Sequence, residues 1–245
     1  MMSVPLLDSA MAAHGGIEAW QRLRCLEIDL IIGGNMLALR WKSPRPRPLK
    51  LLVDTGRVRA TLSPFPKEGM RGVFEGNAVT IETESGVVTA RRALSRSKHV
   101  EAGRRWIWDD LDLLYFLGYA LWNYSLTPYL FTWPGFQCAE TEPWREPDGS
   151  LWRRLQVTWP ADIPTHSHHQ TFYFDEHGLL RRLDYTAEVF GSFARAAHYC
   201  YDHKVFDGLV VPTHRVVFAR RRSGLPITLF AAMEGRIHNV VAQRL

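Results

Sequence analysis

The chain has 245 residues, of which 46% are hydrophobic and 22% are charged, and its formal net charge is +5. This composition excludes a disordered, collagen-like or coiled-coil protein, and a chain of this length can bury a large core. The positive charge does not indicate nucleic acid as a partner, because the arginines are scattered in pairs and one triplet at residues 220–222 instead of forming one stripe.

The first predicted element is an N-terminal helix over residues 3–23, broken by the pair Gly15-Gly16. Apolar side chains recur at helical spacing in its first half. From Cys25 the apolar period changes to two, which is typical of a strand. Gly33-Gly34-Asn35 then predicts a hairpin turn into a second strand over residues 37–41.

Short alternating segments separated by turn residues follow on both sides of a central apolar stretch, which predicts an antiparallel meander. The predicted strands cover residues 49–54, 57–62, 70–75, 78–83, 87–93, 138–144, 151–159, 168–175, 179–188, 194–204, 209–220, 227–233 and 235–241. Between the two sets, residues 106–131 run almost without a polar break after Asp109, Asp110 and Asp112, which suit a helix start. A helix that is apolar on all sides is buried or lines an apolar cavity.

The predicted fold class is α+β. We expect a strongly curved antiparallel sheet, a half-barrel of about 11–12 strands, wrapped around the central apolar helix, because strand twist curls so large a sheet. The N-terminal helix is its second cover. No linker or repeat divides the sequence, so we expect a single domain over residues 1–245.

Turn and strand residues at three places are shared with a known group of proteins. They are AHGG followed by AW within residues 13–20, YFD and GLLRRLDY within residues 173–185, and DGLVVPTHR at residues 207–215. With these motifs, and in its order of strands and helices, the chain resembles the LolA-like superfamily of lipoprotein carriers and related lipid-binding proteins. The resemblance implies a half-barrel with helices on its concave side and an apolar cavity that holds acyl chains or other apolar molecules.

Histidines concentrate in the C-terminal strands and are the candidate catalytic residues. By alternation, His168 shares a face with Phe172 and Phe174, His198 with Cys200, and His214 with Val216 and Phe218. If these apolar partners point inward, His168, His198 and His214 point inward as well, where imidazole suits acid–base catalysis. The alternative is histidines hydrogen-bonded in the core or cavity wall. The pattern does not decide whether His166 and these three converge, and no metal motif is present, so no metal site is predicted.

Aromatic side chains crowd the central segment and are the candidate ligand-binding residues. Aromatic residues at helical spacing form either a packed core or the wall of a cavity for an apolar ligand. The candidates, which include two from the strand that carries His168, are Trp106, Trp108, Tyr115, Tyr119, Trp122, Tyr124, Trp133, Phe172 and Phe174.

Two functions from different classes follow from these residues. The first is a protein that binds an apolar or aromatic small molecule or lipid in the half-barrel cavity. The alternative is a cofactor-independent enzyme, a cyclase, isomerase, lyase or hydrolase, that uses cavity histidines as acid and base. No phosphate-binding loop or nucleophile elbow is present, and no cofactor is predicted. A third possibility is an interaction module that uses exposed sheet edges.

The predicted location is the cytoplasm. Three isolated cysteines fit a reducing compartment, and the first residues lack the pattern of a secretory signal. The longest apolar stretch is shorter than the roughly 20 residues that span a bilayer, so no stable membrane insertion is predicted. The sequence sets neither the ligand nor the oligomeric state.

Overall fold

The described strands all belong to one open, antiparallel sheet in the computed structural model, which describes residues 4–93 and 107–244. There are 14 of them: β1 (Leu23–Gly33), β2 (Arg47–Asp54), β3 (Arg59–Ser63), β4 (Met70–Glu75), β5 (Ala78–Thr83), β6 (Val88–Ala93), β7 (Gln137–Arg145), β8 (Leu151–Thr158), β9 (His169–Phe174), β10 (Leu180–Thr186), β11 (Arg195–Phe206), β12 (Leu209–Arg220), β13 (Pro226–Ile227) and β14 (Met233–Arg244). The described helices are α1 (Pro5–Ala13), α2 (Ile17–Trp20) and α3 (Asp110–Leu126), with 3-10 helices at Asn35–Arg40 and Tyr129–Thr132.

The last long strand holds the sheet together. The N-terminal strands form the run β6-β5-β4-β3-β2-β1, and the C-terminal strands form the run β12-β11-β10-β9-β8-β7. Strand β14 joins the two runs because it pairs with β1 on one side and with β12 on the other. The short strand β13 pairs with β12 outside this path.

The sheet contacts two sides of helix α3. A Cβ on Gly118 would lie 2.5 Å from the Cβ of Phe74 on β4, while the guanidinium of Arg215 on β12 lies 5.3 Å from the ring of Tyr124. Five strand steps separate β4 from β12, or about 24 Å along a flat sheet, which is more than the diameter of about 10–12 Å that a helix has with its side chains. The sheet therefore has to curve around α3, which is consistent with a half-barrel.

A capping box fixes the start of α3. The Asp109 carboxylate accepts a hydrogen bond from the Asp112 amide at 2.9 Å, and the Asp112 carboxylate accepts one from the Asp109 amide at 3.1 Å. Arg92 of β6 forms ion pairs with both carboxylates. The predicted capping role of these aspartates is therefore confirmed. Within the described residues, no helix is long and apolar enough to cross a membrane.

The chain just after the C-terminal end of α1 is fixed to the half of the sheet that contains β11 and β12. Gly15 has a φ of 122°, and a Cβ there would lie 2.6 Å from the carbonyl oxygen of Gly208 in the turn between β11 and β12. The next link is a hydrogen bond from the Val210 amide to the His14 carbonyl at 3.1 Å. Only glycine combines this backbone conformation with so close an approach.

The 14 strands among the described residues exceed the about 11–12 expected, and two local predictions are also wrong. Residues 37–41 do not form a strand: a 3-10 helix at Asn35–Arg40 takes their place, and Trp41 is 79% exposed. The chain leaves the sheet at this point because β1 pairs directly with β2. At the C-terminus, the predicted strand over 227–233 shrinks to β13, and its last residue, Met233, begins β14.

Candidate functional site

An apolar cavity of about 100 Å³ lies between α3 and the strands β1, β12 and β14. Strand β1 contributes side chains at alternate positions, as expected for one face of a strand. The apolar wall includes Leu26, Ile28, Leu30, Val217, Ile237 and Val240.

Helix α3 has two distinct faces. Phe116, Leu117, Ala120, Leu121 and Tyr124 recur at a spacing of three to four residues and line the cavity. The remaining faces of the helix are also buried and belong to the protein core. The helix is therefore apolar on all sides because it serves the core and the cavity at once.

One part of the cavity wall is polar and includes His198 of β11. Its side chain is 2% exposed, and neither ring nitrogen has a hydrogen-bond partner among residues 4–93 and 107–244. Burial, followed by the charges of Arg215 and His166, keeps the pKa of His198 well below its usual range. The imidazole is therefore neutral at pH 7.

Tyr124 connects this part of the wall to a second buried histidine. Its hydroxyl lies 2.5 Å from Nε2 of His166 and 3.0 Å from the hydroxyl of Tyr185. The hydroxyl of Tyr119 lies 3.1 Å from Nδ1 of His166, whose ring stacks on Tyr185 at 4.1 Å. Burial raises the pKa of Tyr124 well above its usual range, so the phenol stays protonated. The Tyr124 ring also contacts His198 edge to face at 4.7 Å.

Arg215 supplies a positive charge beside these aromatic rings. Its Nη1 donates to Sγ of Cys200 at 3.2 Å, and its guanidinium lies over the Tyr124 ring. Within the part of the chain that the structure describes, Arg215 forms no ion pair with a carboxylate. The cavity therefore combines a mostly apolar wall with one cation, that of Arg215, and two imidazoles, those of His14 and His198, and burial lowers the pKa of both histidines.

The three candidate catalytic histidines do not converge. Only His198 belongs to the cavity wall. His168 precedes β9, and its Nδ1 lies 3.4 Å from the carbonyl oxygen of Trp159. His214 lies on the opposite face of β12 from Arg215, where its Nε2 lies 2.9 Å from a carboxylate oxygen of Glu234. The inward orientation expected for His214 is therefore not found, whereas His166 and His198 do meet around Tyr124.

The aromatic candidates are distributed between the core and the cavity. Trp106 lies outside the described residues, and of the others only Tyr124 lines the cavity. Six are buried in the core and Trp133 packs against it: Trp108, Tyr115, Tyr119, Trp122, Phe172, Phe174 and Trp133.

Arg215, Tyr185 and the aliphatic residues of β1 also line the cavity, and none of them was a predicted site residue. Alternation of Leu26, Ile28 and Leu30 did contain the signal for their shared face. Nothing in the local sequence marks Arg215, between His214 and Val216, as a cavity residue.

Comparisons with known proteins identify the fold. No family model matches the sequence, and no curated protein matches it. Among solved structures, the chain is similar to a LolA superfamily protein from Nitrosomonas europaea, at 10% identity with a TM-score of 0.57, covering 100% of this chain and 96% of that one. It is also similar to a DUF1329 family protein from Desulfovibrio piger, at 12% identity with a TM-score of 0.54, covering 97% and 92%. The fold of the chain is LolA-like.

Proposed function

We propose that this protein binds an apolar small molecule or lipid in the cavity between α3 and strands β1, β12 and β14. The observation that carries the proposal is the apolar cavity itself. Its volume of about 100 Å³ is several times the roughly 10–15 Å³ that one water molecule needs by the same kind of measure. Protein interiors are close-packed and voids cost stability, so an apolar cavity of this size is better explained by a ligand than by packing. The LolA-like fold supports the same conclusion, since the sequence resemblance implies apolar ligands.

We also propose a cytoplasmic location for this binding protein. Cys25, Cys138 and Cys200 are all free thiols. Free thiols of this kind fit a reducing compartment.

Filling the cavity tests the binding proposal. Ala120 lies in the middle of the cavity-facing side of α3 and is 4% exposed, so the variant Ala120→Phe places a ring in the ligand's space. The new ring and a bound ligand would overpack this space together, at a cost of about 1–3 kcal/mol. We therefore expect the affinity for the neutral fluorescent probe N-phenyl-1-naphthylamine to fall by about 5- to 150-fold. Fluorescence titration measures it.

The matched control is Ala12→Phe, at an exposed alanine of α1, which should bind the probe as the wild type does. Thermal unfolding shows whether each variant is folded at the titration temperature. Undiminished binding by a folded Ala120→Phe variant would show that the cavity is not the binding site.

A second candidate function is a cofactor-independent enzyme, and His198 is the observation that favours it. A buried, neutral imidazole beside a cavity is positioned to accept a proton from a bound molecule. The ring of Tyr124 lies next to it, and the protonated Tyr124 hydroxyl is held by His166 and Tyr185. His168 and His214 lie away from the cavity, so in this candidate His198 is the catalytic base.

Mass spectrometry of the molecule extracted from purified protein distinguishes the two functions. If His198 catalyses a reaction, the His198→Asn variant should retain an unreacted substrate whose mass differs from the compound in the wild type. The control variant His214→Asn should retain the wild-type compound. One and the same compound in all three proteins would argue for binding without catalysis.

A further inference from the structure

We infer that the molecule in the cavity is an aliphatic carboxylic acid whose carboxylate lies between Arg215 and His198. The inference rests on the proposed binding function and deepens it by naming the class of ligand. Two independent features of the cavity wall carry it.

The first feature is the charge of Arg215. Arg215 is half-buried, and a guanidinium at the edge of an apolar cavity is normally paired because removing a charge from water without a partner is costly. Among the described residues, the hydrogen-bond and cation–π partners of the Arg215 guanidinium are the Cys200 thiol, the Tyr124 ring and, at 3.4 Å, the Tyr124 carbonyl. A ligand carboxylate would supply the missing negative charge, and its two oxygens match the fork of N–H donors on a guanidinium.

Among the described lining residues, Glu234 is the only one with a carboxylate, and that carboxylate is already paired. One of its oxygens lies 2.9 Å from Nε2 of His214 and 3.0 Å from Nη2 of Arg236. Both contacts are on the face of β12 and β14 that points away from the cavity. Glu234 therefore leaves the charge of Arg215 uncompensated.

The second feature is His198. Buried polar side chains normally have hydrogen-bond partners, and both ring nitrogens of this one lack them within the described residues. A neutral imidazole still carries one N–H donor, which suits a carboxylate oxygen.

The two groups are close enough to bind one head group. In the register of β11 and β12, Cys200 faces Arg215 and His198 faces Val217, so His198 and Arg215 are diagonal neighbours on one face of the sheet. Both lie against the same ring, that of Tyr124, at 4.7 Å and 5.3 Å. The rest of the wall is mostly aliphatic, with the rings of Trp20, Phe116 and Tyr129 among its lining groups, which suits an alkyl chain as the remainder of the ligand.

The charge balance favours a carboxylate over a phosphate. Arg215 is the only arginine or lysine among the described lining residues. A single fixed positive charge neutralises the single charge of a carboxylate, whereas an alkyl phosphate dianion would keep an uncompensated charge next to apolar surface.

Competition between chain-matched compounds tests the inference. In the experiment, dodecanoic acid, 1-dodecanol and dodecyl phosphate are each titrated against bound N-phenyl-1-naphthylamine at pH 7.5. The proteins compared are the wild type, Arg215→Met and Arg215→Lys. We expect the acid to displace the probe from the wild type at an at least roughly tenfold lower concentration than the alcohol or the phosphate, because charge-assisted hydrogen bonds are the strong ones. In Arg215→Met the preference for the acid should disappear while the alcohol still binds, and Arg215→Lys should keep part of it.

A matched control is Arg181→Met, at a half-buried arginine outside the cavity wall, which should keep the full preference. Equal displacement by acid and alcohol in the wild type, a preference that survives in Arg215→Met, or a preference for the phosphate would overturn the inference and leave the binding function intact. A wild-type protein that binds neither the probe nor any of the three compounds would overturn the proposed function as well.

Discussion

Replacing Arg182 with alanine is expected to lower the free energy of unfolding by about 3–5 kcal/mol, the usual cost of removing one partner of a buried ion pair. Arg182 is completely buried on β10, on the face of the sheet that points away from the cavity. Without its guanidinium, the buried carboxylate of Glu146 would lose the charge that compensates it, and the buried carboxylate of Asp184 would keep only its longer ion pair with Arg220, at 3.4 Å.

The guanidinium of Arg182 uses all its hydrogen-bond donors. Its Nε and Nη2 bond the two carboxylate oxygens of Asp184 at 2.7 Å and 2.9 Å, and its Nη1 bonds Glu146 at 2.8 Å and the Tyr199 hydroxyl at 3.2 Å. Nη2 also donates to the Gly224 carbonyl. Burial by itself lowers the pKa of Arg182, but the hydrogen bonds and charge of Asp184 outweigh it and raise the pKa above its usual range. The network is thus fully satisfied and remains charged.

Urea unfolding of two further variants identifies the physical cause. Arg182→Met retains most of the side-chain volume, so a loss close to that of Arg182→Ala would assign the effect to the unpaired carboxylates instead of a cavity. The control Arg181→Ala, at the half-buried neighbour, should change the free energy of unfolding by no more than about 0.5 kcal/mol. A similarly small change in Arg182→Ala would contradict the prediction.

The same outer face explains why alternation failed to orient His214. Inward and outward residues are distinguishable by hydrophobicity only where one face of a sheet is solvated. Here Trp152, Tyr173, Ala197 and Tyr199 form a second apolar cluster on the outer face, and Phe218 packs against it. The apolar residues next to His214 therefore indicated a core, but not which of the two.

Local signals predicted those parts of the fold that depend on local chemistry. The capping residues Asp109 and Asp112 and the apolar run after them were enough to place α3, because both act within a few residues. The pairing of β14 with β1 joins the two ends of the chain, and no local pattern encodes such a contact. The meeting of Arg215 with His198 likewise depends on the register of β11 and β12.

Trp122 shows why the aromatic residues of α3 cannot be sorted by residue type. Its side chain is fully buried, its Nε1 donates to the carbonyls of Asp54 and Arg57 at 3.1 Å each, and its ring contacts Trp133 edge to face. These contacts lie away from the cavity. Composition and helical spacing are the same for a core tryptophan and a cavity tryptophan, so only the rotation of the helix against the curved sheet separates the two.

The Trp122→Ala variant is therefore expected to lower the free energy of unfolding by about 3–5 kcal/mol, the cost of removing a buried indole. Because Trp122 does not line the cavity, the affinity for N-phenyl-1-naphthylamine, titrated under conditions in which the variant is folded, should stay within about threefold of the wild type. A threefold change corresponds to less than about 1 kcal/mol. Trp122→Phe should fall between the two in stability, since it retains a ring and loses both hydrogen bonds. Trp41→Ala, at a tryptophan that is 79% exposed, is the matched control and should cost no more than about 0.5 kcal/mol. A large loss of probe affinity at unchanged stability would instead place Trp122 in the binding site, and the division of α3 into a core face and a cavity face would be wrong.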